Sequence, residues 1–143
     1  MKMKVMYQSK SGNTRKIAEA IAQSVGEVAE AMPPAYPPEN VKLLFMGCGI
    51  YGGKLDKKVT DYINTLNTKR VQNVALFSTT GAGQKQAVEL MKKQLEQRGV
   101  NVLSECFDCK GKFFGFFNRS KPGGDELKAA QEFATKAMAL VKE

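Results

Sequence analysis

Histidine and tryptophan are both absent from the 143 residues, and only three cysteines are present. Without an imidazole the chain has no ordinary neutral-pH proton shuttle and lacks the commonest metal ligand. Ser-His-Asp and Cys-His hydrolases are thereby excluded, as is any zinc site that uses histidine. Cys48, Cys106 and Cys109 are too few and too unevenly spaced for a disulfide framework. Long apolar runs are missing as well. The longest buried stretch, Leu43-Leu44-Phe45-Met46 with Val41 just before it, falls far short of the ~20 residues that cross a bilayer. Met1-Lys2-Met3-Lys4-Val5 carries charge but neither an apolar run nor a small-residue cleavage site behind it, so a cytoplasmic location is the expectation.

What is present is ordinary in bulk and unusual in charge. Hydrophobic residues make up 43% and charged residues 25%, which excludes wholesale disorder and suits one domain spanning residues 1–143. A chain of this length buries roughly two-thirds of its unfolded surface. Lys and Arg number 22 against 14 Asp and Glu, a net charge of +8. Such a balance favours acidic partners and says nothing about fold.

Along the chain, short runs rich in Val, Leu and Phe alternate with amphipathic helical stretches. Strands are expected at Lys4–Tyr7, weakly at Glu27–Ala31, then at Val41–Gly47, Val71–Phe77 and Val100–Cys106. Helices are expected over Thr14–Val25, Asp56–Leu66, Gln84–Gln97 (with Gly99 as its C-cap signal) and Glu126–Val141. Met32-Pro33-Pro34-Ala35-Tyr36-Pro37-Pro38 holds four of the five prolines and is read as a stiff surface connection. Asp108–Gly124 is read as a loop. The order β-α-β-β-α-β-α-β-α implies an α/β three-layer sandwich, with a parallel sheet covered by helices on both faces. Ligands of such sheets sit beyond the carboxyl ends of the strands, where the strand order reverses. Three glycine-bearing loops fall at that edge, after the first, third and fourth strands.

The first, Ser9-Lys10-Ser11-Gly12-Asn13-Thr14, lies between a strand and a helix. Its hydroxyls, amide and close-wrapping glycine, next to unpaired helix N–H groups and the positive dipole end, suit a phosphate. They suit a plain helix cap equally well. The loop matches neither GxxxxGK[ST] nor GxGxxG. Tyr7-Gln8-Ser9-Lys10-Ser11-Gly12-Asn13-Thr14 nevertheless resembles the phosphate loop of flavodoxins, (T/S)-x-(T/S)-G-x-T, and length, element order and the later loops agree. The resemblance implies a flavodoxin-like five-stranded parallel sheet of order 2-1-3-4-5 and flavin mononucleotide (FMN) as cofactor. It implies that Ser9, Ser11, Asn13 and Thr14 hold the phosphate, the Lys10 and Gly12 backbones completing the cradle.

By the same resemblance Gly47-Cys48-Gly49-Ile50-Tyr51-Gly52-Gly53 is the second flavin loop, with Tyr51 stacked on the isoalloxazine ring and Gly49, Ile50 and Gly53 around it. Gly52 is where the family rotates a peptide to present a carbonyl to flavin N5 on reduction, which glycine permits at little cost. An acidic residue commonly follows that glycine, whereas here Gly53-Lys54 follows. Less negative charge nearby implies a less reducing second couple than in acidic flavodoxins. The third loop, Ser78, Thr79, Thr80, Gly81 and Gly83, would bond the polar edge of the flavin; it carries no second aromatic wall.

Lys110-Gly111-Lys112-Phe113-Phe114-Gly115-Phe116-Phe117, continuing to Arg119 and Lys121, gathers half of the eight phenylalanines beside four cations. Phe113 and Phe114 are candidates for covering the open flavin face, and Lys110 and Lys112 for docking a partner. Cys106-Phe107-Asp108-Cys109 has CxxC spacing, but the cysteines are expected to be inert, since redox chemistry wants that motif at a helix N-terminus. No metal is expected. The reading is therefore an FMN-binding carrier of single electrons that meets redox partners with acidic docking surfaces. Its alternative is an FMN-dependent reductase or dehydrogenase, or an accessory subunit of one, acting on a quinone, tetrapyrrole or similar flat substrate. A phosphoacceptor receiver is excluded by Tyr7-Gln8 and Gly47-Cys48 where acidic residues would be required. Nucleic-acid binding has only the net charge in its favour and is not adopted.

Overall fold

The computed structural model describes residues 1–79, 86–109 and 124–141. Its elements run β1 (Met3–Tyr7), α1 (Asn13–Val25), β2 (Ala29–Ala31), β3 (Val41–Cys48), α2 (Lys57–Ile63), β4 (Val71–Thr79), α3 (Gln86–Gln97), β5 (Asn101–Cys109) and α4 (Gly124–Val141). The five strands form one sheet in the order β2-β1-β3-β4-β5, and every pairing is parallel.

Strand alternation divides the interior in two. Leu44 and Met46 of β3 join Met6, Val59, Tyr62, Ile63, Leu76, Met91 and Leu95 on the face covered by α2 and α3. Leu43 and Phe45 of the same strand join Val5, Ile17, Ile21, Phe77, Phe133 and several alanines on the face covered by α1 and α4. Neighbouring residues of one strand point to opposite faces, so a strand apolar at every position must be covered on both sides. Burying a large apolar side chain fully contributes about 1.5–3 kcal/mol, and Phe45, Phe77, Leu43, Leu44, Met46 and Met91 are among those sealed here. Phe133 is held by two rings, edge-on to Phe45 at 6.0 Å and stacked on Phe107 at 5.9 Å.

Three expectations need correction. Helix α2 ends at Ile63 rather than Leu66: Asn64 and Thr65 form a turn, and the buried Leu66 lies beyond the helix. The expected strand ending at Cys106 continues through Cys109, so Phe107 and Asp108 belong to the sheet rather than to a loop. The register explains this: Phe77 pairs with Phe107 and Ser78 with Asp108, while the Phe107 ring lies on Phe133. The second strand is also shorter than expected, only Ala29–Ala31. The proline-rich stretch after it forms bends rather than an element, and its Met32 and Pro38 are buried.

Register fixes the functional edge. Tyr7 is level with Gly47, Cys48 with Ser78, and Ser78 with Asp108. Chain connections diverge between β1 and β3, so the crevice lies above Tyr7 and Gly47.

Candidate functional site

Helix α1 begins on Gly12, whose φ of 91° lies in the left-handed region, and no side chain caps it. The first turn of a helix leaves N–H groups without backbone acceptors. Helix α2 resolves that shortage internally: Asp56 is its N-cap, and the Asp56 Oδ1 accepts from the Lys58 N–H at 2.8 Å. Helix α1 leaves it open, with the positive end of its dipole facing the crevice. The loop ahead of it is braced from below, since the Gly12 N–H donates to Ser9 Oγ at 2.9 Å and the Gln8 N–H donates to the Gly47 carbonyl at 3.0 Å.

Asn13 and Thr14 are buried, while Lys10 and Ser11 are exposed. The Thr14 and Thr79 hydroxyls share a hydrogen bond of 2.6 Å, which ties the first loop to the end of β4. Gln8 Oε1 and Asn13 Oδ1 are buried without a partner among the described residues. Buried polar atoms left unpaired cost roughly 1–3 kcal/mol each, and a polyhydroxylated phosphate ester brings hydroxyl donors for the acceptors and oxygens for the helix N–H groups. The donor set fits such a group.

The second loop is a tight hairpin. Tyr51 and Lys54 exchange backbone bonds of 2.9 and 3.1 Å, and the two residues between them, Gly52 and Gly53, have φ of 59° and 76°. A two-residue turn with both central φ values positive favours glycine. Tyr51 folds back over the base of the loop: its hydroxyl accepts from the Lys10 N–H at 3.3 Å. A Cβ placed on Gly49 would stand 3.1 Å from that hydroxyl and 3.2 Å from the Thr79 carbonyl, so glycine is what admits the tyrosine there. The Lys10 ammonium sits over the Tyr51 ring, 4.2 Å from its centroid, and 4.0 Å from Asp56 Oδ2. Burial pushes the Tyr51 hydroxyl upward, against the opposing pull of the Lys10 N–H, and it stays protonated. Burial, reinforced by the Asp56 charge, pushes the Cys48 thiol up to about 12, so this cysteine is inert.

Ser78 is fully buried and its hydroxyl is engaged by Asp108. Ile50 is half-buried against the α2 and α3 side of the core. The structure thus gathers Ser9, Lys10, Ser11, Gly12, Asn13, Thr14, Gly49, Ile50, Tyr51, Gly52, Gly53, Ser78 and Thr79 at one edge. Thr80, Gly81, Gly83, Lys110, Lys112, Phe113 and Phe114 lie outside the described residues. Sequence reasoning missed three participants. The sequence carries Gln8 only as a non-acidic member of the stretch that resembles the phosphate loop, Asp56 only as a helix start, and Asp108 only as the start of an expected loop; the S/T/D/N rule for N-caps points to Asp56. Two adjoining cavities of about 280 and 470 Å³ lie beneath the proline-rich segment beside Tyr62, and none of the edge residues lines them.

The chain belongs to the flavodoxin family, whose flavodoxin domain (Flavodoxin_3) matches residues 4–115. Among particular relatives it is 32% identical over 146 residues to the uncharacterised protein MJ0298 of Methanocaldococcus jannaschii, covering 94% of this chain and 96% of that one. It is 33% identical over 91 residues to the flavodoxin-like domain-containing protein BilS of Clostridioides difficile, covering 59% of this chain and 50% of BilS. Among solved structures, a flavodoxin from the domain Archaea superimposes over 100% of both chains with a TM-score of 0.78 at 19% identity. Oxidised flavodoxin 2 from Bacillus cereus superimposes with a TM-score of 0.71 at 19% identity, over 94% of this chain and 96% of that one. These two share the fold. Among the described residues no helix is long and apolar enough to cross a membrane, and no group of His, Cys, Asp and Glu could hold a metal ion.

Proposed function

We propose that this protein binds FMN at the carboxyl edge of its sheet and carries single electrons between partner oxidoreductases. The observation that carries the reading is the uncapped start of α1 on left-handed Gly12, within one hydrogen bond of the aromatic residue of the next loop. When bound, the flavin supplies the redox chemistry, and the protein supplies binding, orientation and electrostatics. Ser9, Ser11, Asn13 and Thr14 hold the phosphate, and the Lys10 and Gly12 backbones complete the cradle by turning their N–H groups to it from the Tyr51 and Ser9 hydroxyls. Gln8 and Asn13 offer buried acceptors to the ribityl hydroxyls. Tyr51 forms one wall. Gly52 and Gly53 allow the peptide between them to rotate, so that a carbonyl or an N–H meets the ring edge. With no histidine in the chain, no imidazole moves a proton here. Lys10, Arg15, Lys16, Lys54, Lys57 and Lys58 are exposed on elements that border the edge, and with the net charge of +8 they steer an acidic partner into transient contact.

Titrating the apoprotein with FMN while following flavin fluorescence tests the reading. The expected result is saturable one-to-one quenching, with riboflavin binding at least about tenfold more weakly because it lacks the charge-assisted bonds of the phosphate. Absence of quenching, or equal affinity for riboflavin, overturns it. A second reading is an FMN-dependent reductase for a flat substrate such as a quinone or tetrapyrrole, favoured by the absence of an aromatic residue across Ser78–Gly83. Stopped-flow oxidation of the reduced protein separates the two: rapid turnover by a small quinone with no protein acceptor favours the enzyme.

A further inference from the structure

We propose that the side chain of Lys10 is a potential-setting residue: its ammonium, clamped on the Tyr51 ring and opposed by Asp56, stabilises the extra negative charge of the fully reduced ligand. The inference rests on FMN occupying this edge. Three contacts place the ammonium. The Lys10 backbone is fixed by its N–H bond to the Tyr51 hydroxyl at 3.3 Å. Its Nζ lies 4.2 Å from the centroid of the Tyr51 ring, an attraction between a cation and the negative face of the ring. Asp56 Oδ2 stands 4.0 Å from the same nitrogen, and Asp56 is itself immobilised as the cap of α2. A lysine whose side chain is 56% exposed would ordinarily wander in solvent; here the cation has an address.

The electrostatic consequence follows from where that address is. The ammonium occupies one face of Tyr51, so a flat ligand stacked on the residue takes the other face, a single ring away. In the second one-electron step one electron arrives from the reductant and, where no proton follows it, the ligand gains one negative charge. A cation one ring distant stabilises that form, and a carboxylate beside the cation offsets part of the gain. Lys10 and Asp56 therefore act with opposite signs on the same equilibrium. Lys54, next to the position after Gly52 where the family commonly has an acid, adds to the positive side.

The test uses the FMN-loaded protein, titrated with dithionite against reference dyes. Lys10→Met keeps the stem that packs on Tyr51 and removes only the charge. Asp56→Asn keeps the helix cap, because asparagine caps as well as aspartate. Lys10→Met is expected to lower the equilibrium constant of the second one-electron step about tenfold at an effective dielectric near that of protein surfaces, equal to about 59 mV. Asp56→Asn is expected to raise it by about threefold, since it releases a cation that was only partly offset. Unchanged potentials in both variants, with FMN still bound, overturn the role of Lys10 and leave the cofactor reading intact; shifts of the same sign in both also overturn it. Failure of the wild-type protein to bind FMN overturns both claims at once. A readout without cofactor checks the clamp itself. In the apoprotein the Lys10 ε-methylene protons should resonate upfield of the other lysines by ring-current shielding and return to the common position in Tyr51→Leu, and finding no such shift overturns the proposal.

Discussion

The two loops that meet at the functional edge start from register partners, Tyr7 and Gly47, yet they are built on opposite plans. The first is anchored from beneath. Asn13 and Thr14 are buried, Thr14 is bonded to Thr79, and Ser9 props Gly12. The second has a buried root and a solvent-facing tip. A Cβ on Gly47 would stand 2.1 Å from the Phe77 ring, whereas Gly52 and Gly53 have nothing within 4 Å. A cradle for a permanent charge must keep its donors aimed before the ligand arrives. A turn that answers to the electron count of its ligand must instead be able to move. Under the proposed function, the first loop, anchored on buried Asn13 and Thr14, serves binding and the solvent-facing Gly52–Gly53 turn the redox response.

Substitutions at the glycines test that division, beginning at the root of the second loop. Gly47→Ala drives a methyl group into the fully buried Phe77; the expected loss is about 3 kcal/mol in denaturant unfolding, at the upper end for overpacked cores. Gly12→Ala meets no atom within 4 Å but keeps a φ of +91°, so strain alone should remove about 1–2 kcal/mol. The same variant should weaken FMN, because the cradle backbone shifts with it. Alkaline titration probes the root again through Cys48, whose thiol rises from 9.0 to about 12 on burial. The unfolded chain releases that proton first, so stability is full below pH 9 and falls as pH rises toward 12, by at most about 1.4 kcal/mol per pH unit. In Cys48→Ala that part of the slope should disappear from unfolding curves at pH 9 and 10. The smallest change belongs to the tip: Gly52→Ala, at a φ of 59°, should cost about 1 kcal/mol of stability, the low end for a left-handed alanine, yet shift the potentials more than Gly12→Ala does. Equal effects of the two on the potentials would erase the contrast between the loops.

Most of the architecture could be read from the chain because its signals are local. Val59, Tyr62, Ile63 and Leu66 fall inward as their spacing predicts, and Gly99 follows α3 with φ of 78°. The parallel sheet and the edge that gathers the loops come from a run of apolar segments separated by helices, and the strand order from the resemblance to flavodoxins. What escaped was non-local. Nothing near Thr14 announces Thr79, 65 residues away. Nothing near Cys106–Cys109 announces that pairing with β4 and the Phe133 ring would hold two cysteines, a phenylalanine and an aspartate in a strand. The fit of Tyr51 over Gly49, and of Lys10 over Tyr51, depends on two loops meeting beside the end of β4, which periodicity along one of them does not encode. The Gly-rich pattern and the resemblance to flavodoxins pointed to the edge proposed as the site; its charge arrangement depends on contacts between segments far apart in the chain.

Behind the cradle stand α1 and α4, which meet through methyl groups: Ala18, Ala22, Ala130, Ala134 and Ala137 are all buried on that face, and the Gln131 amide donates to the Ala20 carbonyl at 3.2 Å. Small side chains let backbones lie close, and close-packed interiors transmit displacement rather than absorb it. The loop proposed to hold the cofactor leads into α1, so its position is levelled by a foundation of alanines on the far side of the helix. Widening that foundation by a few methylenes would tilt the anion seat without touching any residue that lines it.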